Sequence, residues 1–243
     1  MRQVPVFSSF LIVGNGRLAR HLRHYFSLEN VPFRSWYRQQ NQDLQSALRD
    51  ISHVLLAISD RAIEPFYSEY PELSKKQCVH FSGSLYTNNI PGAHPLMTFA
   101  DELYDLETYR QIPFVIERGG PRFEELLPGL KNKFYELDPD KKGLYHALCS
   151  LSGNFTVMLW EKVFREFENK LGLPKEVLVP YLQRTAANLA QSPKEKSVLT
   201  GPLVRGDQAT IERHLSVLSG DPYRKIYAAF VAAHSAIAEG VQA

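Results

Sequence analysis

Two observations predict an α/β chain in which a doubly wound parallel sheet is followed by an all-helical C-terminal domain. Over residues 1–139, short apolar runs alternate with helical periods, an order that places helices on both faces of a parallel sheet. Over residues 140–243 the strand signal disappears and helical spacing alone remains. The length of 243 residues suits one large domain or two modest ones. The punctuation Asp138-Pro139-Asp140 sets the expected domains at 1–139 and 140–243.

Taken in order, Phe10–Val13 reads as a buried strand and Arg17–Leu28 as a helix with Leu18, Leu22, Tyr25 and Phe26 on one side. Val31–Tyr37 is the second strand, Leu44–Leu48 a short helix and Val54–Ile58 the third strand. Ile63–Tyr70 is a helix for which Asp60 is a candidate N-cap. Gln77–Phe81 and Pro113–Glu117 are further strands, Arg122–Lys131 a helix and Tyr135–Leu137 a last short strand. Leu144, Leu148, Leu151, Phe155 and Leu159 then recur at helical spacing. The pattern runs through Val163, Phe167 and Leu171 to a stop at Gly172 and Pro174. It predicts one helix of roughly thirty residues, about 40 Å long. Val177–Ala190, Thr210–Leu218 and Pro222–Glu239 complete the helical half.

Hydrophobic residues at 44% and charged residues at 22% are those of an ordinary globular chain. A net charge of +2 excludes the concentrated basic face that broad nucleic-acid binding needs. Phe10–Val13 is far shorter than the roughly 20 apolar residues of a membrane span, and the first nine residues lack the form of a signal peptide. The two cysteines, Cys78 and Cys149, indicate no disulfide framework. The expectation is a cytoplasmic protein without membrane or nucleic-acid partners.

The run Gly14-Asn15-Gly16-Arg17-Leu18-Ala19 leaves a strand and opens a helix, matching the G-x-G-x-x-A dinucleotide fingerprint of Rossmann sheets. Gly14 permits the tight turn, Gly16 lets a pyrophosphate approach the backbone, and Ala19 allows close helix–strand packing. The helix N-terminus offers free N–H groups and partial positive charge. The second strand ends Arg34-Ser35-Trp36-Tyr37-Arg38, without the acid that receives a free 2′-hydroxyl. Arg38 suits a 2′-phosphate, with Tyr37 or Trp36 near the adenine, so NADP is favoured over NAD. The plain alternative is a solvated Arg38. Ser59, at the end of the third strand, and Ser82 join the candidate cofactor contacts.

Ligands bind beyond the carboxyl ends of parallel strands. His80-Phe81-Ser82-Gly83-Ser84 and Gly92-Ala93-His94-Pro95 are expected there. His94 is the candidate proton carrier for a reaction in which hydride moves, with Ser82 or Ser84 polarising the same oxygen. The opposing reading is a His94 that only bonds a loop carbonyl. His21 and His24, on an arginine-rich helix, are expected on its solvated face. No cysteine or histidine spacing supports a metal site, and Ser82-Gly83-Ser84 is not a hydrolase elbow.

Several motifs carry a resemblance. They are the fingerprint, His80-Phe81-Ser82-Gly83, His94-Pro95-Leu96-Met97-Thr98-Phe99, Tyr145-His146-Ala147-Leu148, Ser152-Gly153-Asn154 and Thr200-Gly201-Pro202-Leu203-Val204-Arg205-Gly206-Asp207. The chain resembles bacterial Rossmann-like proteins with a helical C-terminal domain of unknown function. These are relatives of pyrroline-5-carboxylate reductase, prephenate dehydrogenase and the hydroxyisobutyrate and 6-phosphogluconate dehydrogenases. The resemblance implies an NADP-binding domain, a helical domain of the 6-phosphogluconate dehydrogenase type and a homodimer through that helical domain. Likeness to prephenate dehydrogenase supports Ser82 and His94. The hydroxyacid dehydrogenases carry Lys-x-x-Asn on the long helix. Here Asn154 takes the asparagine's place, the lysine is absent, and His146 is the candidate substitute, about 80° from Asn154 on an ideal helix.

Arg205 is a candidate clamp for a substrate carboxylate. Asp207 either binds Arg205 or caps the helix near Gln208, and Asn188 either joins this cluster or is exposed. The opposing reading is that the turn residues satisfy only one another. The resulting expectation is an NADP-dependent oxidoreductase acting on a small carboxylated metabolite, a keto or hydroxy acid or an imine or amine. The alternative is a non-catalytic NAD(P)-binding redox sensor or scaffold.

Overall fold

In the computed structural model, which describes residues 9–40, 42–193, 196–238 and 240, β1 (Phe10–Val13) is buried along its whole length. Phe10 and Ile12 pack on one side of the sheet with Ala19, Leu22 and Phe26 of α1 (Arg17–Leu28). Leu11 and Val13 pack on the other side with Leu44, Ile63 and Phe66. A strand covered on both faces needs no polar alternation, which is why its sequence is a continuous apolar run.

β1 lies between β2 (Phe33–Trp36) and β3 (His53–Leu56), and β3 pairs with β4 (Gln77–His80). All pairings are parallel and the strand order is β2-β1-β3-β4. The short α2 (Leu44–Ala47) and α3 (Asp60–Glu69) complete the winding. α3 begins one residue after Ser59, which holds the N-cap position, so Asp60 is the first helical residue rather than the cap.

A bridge between His80 and Gly92 leads into a second sheet, β5 (Ala93–Pro95), β6 (Phe114–Glu117) and β7 (Phe134–Leu137). β5 runs antiparallel to β6, and β6 parallel to β7. β5 escapes sequence reading because it is short and ends in proline, which cannot donate to a ladder. α4 (Leu106–Gln111) packs against α1. The expected helix over 122–131 shrinks to α5 (Phe123–Leu126), since Pro128 follows and Gly129 has φ +94°.

The single long helix is corrected to two, α6 (Lys142–Ser152) and α7 (Asn154–Leu171). Gly153, at φ −95° and ψ −79°, separates them while still donating to Cys149 O. The apolar period continues across this kink, so periodicity does not register it. α8 (Val179–Gln191), α9 (Pro202–Arg205), α10 (Gln208–Val217) and α11 (Tyr223–Ala238) follow. The expected end of the last helix, Glu239, lies outside the described residues, as do the first eight residues.

The chain divides into two compact units, Met1–Glu161 and Lys162–Ala243, within α7. The first contains both sheets and α6. In the second, Lys162 bonds Asp221 at 2.5 Å and Glu166 at 2.8 Å, while His214 bonds the Tyr227 hydroxyl at 2.8 Å. No helix among the described residues is long and apolar enough to cross a membrane.

Candidate active site

The fingerprint loop lies at the carboxyl edge of the parallel sheet. Gly14 has φ +126°, and a Cβ there would stand 2.2 Å from Ala57 O, so glycine alone fits between β1 and the end of β3. A Cβ on Gly16 would meet nothing within 4 Å, and no side chain caps α1. The helix therefore presents uncapped backbone N–H groups beneath open space, which fits a diphosphate. Asn15 and Arg17 are exposed, Leu18 is partly buried and Ala19 is buried. Arg23, one turn and a half into α1, donates to Gly14 O and Asn15 Oδ1, each at 3.1 Å, and ties the loop down. Arg17 pairs with Asp101 at 3.2 Å.

Arg38 follows β2 and forms an ion pair of 2.9 Å with Glu69 at the end of α3, the side chains being 66% and 51% exposed. The carboxylate lacking at the end of β2 is thus brought to Arg38 from another element. Ser59 is exposed at the end of β3.

Ser82 is held by several bonds. Its hydroxyl donates to Asp60 Oδ2 at 2.5 Å and accepts the N–H groups of Ser84 and Leu85. Ser84 also donates to Asp60. The Ser82 N–H donates to Nδ1 of the fully buried His80 at 3.2 Å. A neutral His80 ring so bonded carries its proton on Nε2.

The His80–Gly92 bridge sets β5 so that His94 reaches the edge beside Gly83. A Cβ on residue 83 would lie 3.1 Å from His94 Nε2 and 2.6 Å from His146 Cδ2. The absent side chain therefore opens the space between the two rings, whose centroids are 6.0 Å apart. His94 Nδ1 shares a 2.7 Å hydrogen bond with the Tyr145 hydroxyl. Burial, then the neighbouring His146 and Lys142, push the His94 pKa down to about 4, against a smaller opposing pull from Asp60. Burial and Lys142 likewise hold His80 at about 4. Burial raises Tyr145 well above the ordinary phenol range, helped by Cys149.

Beneath these rings lies a pair that sequence reading missed. Lys142 Nζ and Glu117 Oε1 are 2.6 Å apart, each side chain only 7% exposed. Glu117 Oε2 accepts the Gly92 N–H at 2.8 Å. A Cβ on Gly92 would come within 2.8 Å of both partners and 2.7 Å of His80 Cε1. Asp60 and Tyr145 as functional groups were missed too. The only local signal was the spacing of Lys142, Tyr145 and His146, which puts them on one face of α6.

The first unit thus brings together Ser82, His94 and His146 with these partners. Asn154 is exposed at the start of α7 beyond the Gly153 kink, so an ideal-helix angle to His146 does not apply. In the second unit, Asn188 and Arg205 are exposed and Asp207 caps α10, accepting Thr210 N at 3.1 Å. His21, expected on a solvated face, is instead buried, bonding the Tyr109 hydroxyl at 2.8 Å and Ala100 O at 2.9 Å.

A family model described as a domain of unknown function, DUF2520, matches residues 113–234. The chain belongs to the DUF2520 family. No curated protein matches it. Among solved structures, this DUF2520 chain is similar to a Bacteroides fragilis protein assigned as an NADP oxidoreductase, at 20% identity and a TM-score of 0.71, covering 94% of this chain and 98% of the other. It is also similar to a Streptomyces aurantiacus imine reductase (14%, TM-score 0.61, covering 96% and 95%). A third match is Plasmodium falciparum pyrroline carboxylate reductase with NADP bound (11%, TM-score 0.59, covering 93% and 99%). At these identities the likeness is one of fold: a Rossmann-like sheet followed by a helical region.

Proposed function

We propose that this protein is an NADP(H)-dependent oxidoreductase that reduces a C=N or C=O bond, or oxidises the corresponding amine or alcohol, in a small carboxylated metabolite. One observation carries the reading. The uncapped fingerprint helix follows the carboxyl end of β1, and the half-buried His94–Tyr145 pair opens past Gly83, which follows the carboxyl end of β4 in the same parallel sheet. The names of the similar structures, an imine reductase and a pyrroline carboxylate reductase, support it.

Gly14, Gly16 and the N–H groups of Arg17 to Ala19 are the residues to hold the diphosphate. Ser59 lies farther along the same edge. When bound, the reduced nicotinamide supplies hydride. Arg38 is the residue for a 2′-phosphate, which must compete with Glu69 for it. His94 handles the substrate proton. Its depressed pKa keeps the ring neutral at pH 7, so it exchanges one proton for another through Tyr145 instead of storing charge. Ser82, with its hydroxyl committed to Asp60, shapes the turn that positions Gly83. His146 walls the opening. Asn154, at the start of α7, remains a candidate for substrate contact, while Asn188, Arg205, the candidate carboxylate clamp, and Asp207 belong to the second unit. Leu144, Leu148, Leu151 and Phe155, exposed at one-turn intervals, support association of two copies.

The test is a thermal-shift titration with NADPH and NADH, followed by NADPH oxidation with 1-pyrroline-2-carboxylate and with pyruvate. NADPH is expected to raise the melting temperature. His94→Ala is expected to keep NADPH affinity and lose about 100-fold or more in turnover. Absence of a shift with either cofactor overturns the reading.

A further inference from the structure

The Lys142–Glu117 pair has a position that pinning α6 to β6 does not by itself require. Lys142 lines, with His94, Tyr145 and Gly83, a small pocket of about 10 Å³, room for one water. Glu117 lines that pocket and also a separate groove of about 420 Å³, bordered by Asn88, Asn89, Arg118 and Gly119. Glu117 thus belongs to the linings of both the groove and the small pocket beside the rings, and its partner Lys142 lines that pocket. Gly92 keeps the space around both charged atoms free of a side chain. Beside them, the buried His80 Nε2 has no hydrogen-bond partner among the described residues.

We propose that Glu117 and Lys142 are positioning residues for proton delivery, feeding His94 from the groove that Glu117 borders. This rests on the reductase reading above. Reduction consumes one hydride at carbon and one proton at nitrogen or oxygen. The π pair of the substrate's double bond becomes the new N–H or O–H bond. As His94 Nε2 gives up its proton, Nδ1 takes one from the Tyr145 hydroxyl across their 2.7 Å bond. Tyr145 recovers a proton from Lys142, one turn earlier on α6, across the water-sized pocket that both residues line. His94 and Tyr145 end as neutral as they began, with His94 now protonated at Nδ1 until proton exchange with solvent after product release returns the proton to Nε2, and only Lys142 is left short of a proton. Solvent in the groove restores it through Glu117. The groups facing the path are His80 from β4, His94 from β5, Glu117 from β6, and Tyr145, His146 and Cys149 from α6, with Asp60 of α3 nearby.

The decisive variant is the double substitution Glu117→Gln with Lys142→Met. Replacing a buried ion pair by neutral groups of similar volume is commonly neutral or stabilising, so the fold is expected to survive. Four quantities are read: melting temperature, NADPH dissociation constant, the NMR titration of His94, and turnover with 1-pyrroline-2-carboxylate in H₂O and D₂O. The proposal expects unchanged melting and NADPH binding and a His94 titration moved toward ordinary histidine. It also expects turnover lower by about 100-fold and a solvent isotope effect larger than that of the wild type. Glu117→Asp, which keeps the carboxylate, should recover part of the rate. A double variant with wild-type turnover and isotope effect overturns the proposal and leaves the pair a structural pin. So does a double variant that fails to fold while Glu117→Asp turns over with an unaltered isotope effect. A wild-type protein that binds NADPH but reduces neither probe overturns the reductase reading instead, and the relay with it.

Discussion

Acidification from pH 7 to pH 5 should destabilise the first unit by an amount set mainly by His80 and His94. Each has an ordinary pKa of 6.5 that folding lowers to about 4. Between those values the unfolded ring binds a proton and the folded ring does not. Stability is therefore full above pH 6.5 and falls as pH drops toward 4. A depression of this size corresponds to about 3 kcal/mol per ring at the limit. By pH 5 about 2 kcal/mol of it is lost from each, and less than twice that from both, since the two rings and Lys142 act on one another. The carboxylates that folding shifts downward, such as Glu29 and Asp43, act mainly below this window. Urea unfolding followed by tryptophan fluorescence reports on this unit, because Trp36 and Trp160 both belong to it. His80→Asn, which retains an acceptor for the Ser82 N–H, should remove roughly half of the pH slope. Equal stability at pH 7 and pH 5, or an undiminished slope in a variant lacking both histidines, would refute the reasoning.

Gly14→Ala should cost about 2–5 kcal/mol, from strained backbone and a clash with Ala57 O, and abolish NADPH binding; urea unfolding and thermal shift measure both. Lys142→Met alone leaves Glu117 buried without its cation, so it should destabilise by about 3–5 kcal/mol, unlike the double variant; comparing the two unfolding midpoints tests this. Arg38→Ala should weaken NADPH while sparing NADH. Glu69→Gln should strengthen NADPH by up to about fivefold, the worth of an exposed ion pair; calorimetric titration of both cofactors decides.

Sequence alone determined the parts whose cause is local. The apolar run of β1, the glycines of the turn and the helical face of α1 are each written within a few consecutive residues. Together they define the doubly wound sheet and the edge at which the fingerprint lies. The placement of His94 beside Gly83 was legible for a similar reason, since a proline follows it at a strand edge. Where local signals failed, a short element or a kink was concealed by an unbroken pattern, as with β5 and Gly153. The pairings found at the candidate site were decided by tertiary structure. His94 meets Tyr145 from 51 positions away and Glu117 meets Lys142 from 25. Arg38 finds its carboxylate on α3, and His21 is buried by Tyr109 from 88 positions away. Periodicity records which face of an element is buried, but not which distant side chain arrives opposite it. That depends on strand order and on the path of α6 across the edge. Burial then turned ordinary histidines into neutral ones, a property that belongs to their surroundings and not to the residue type.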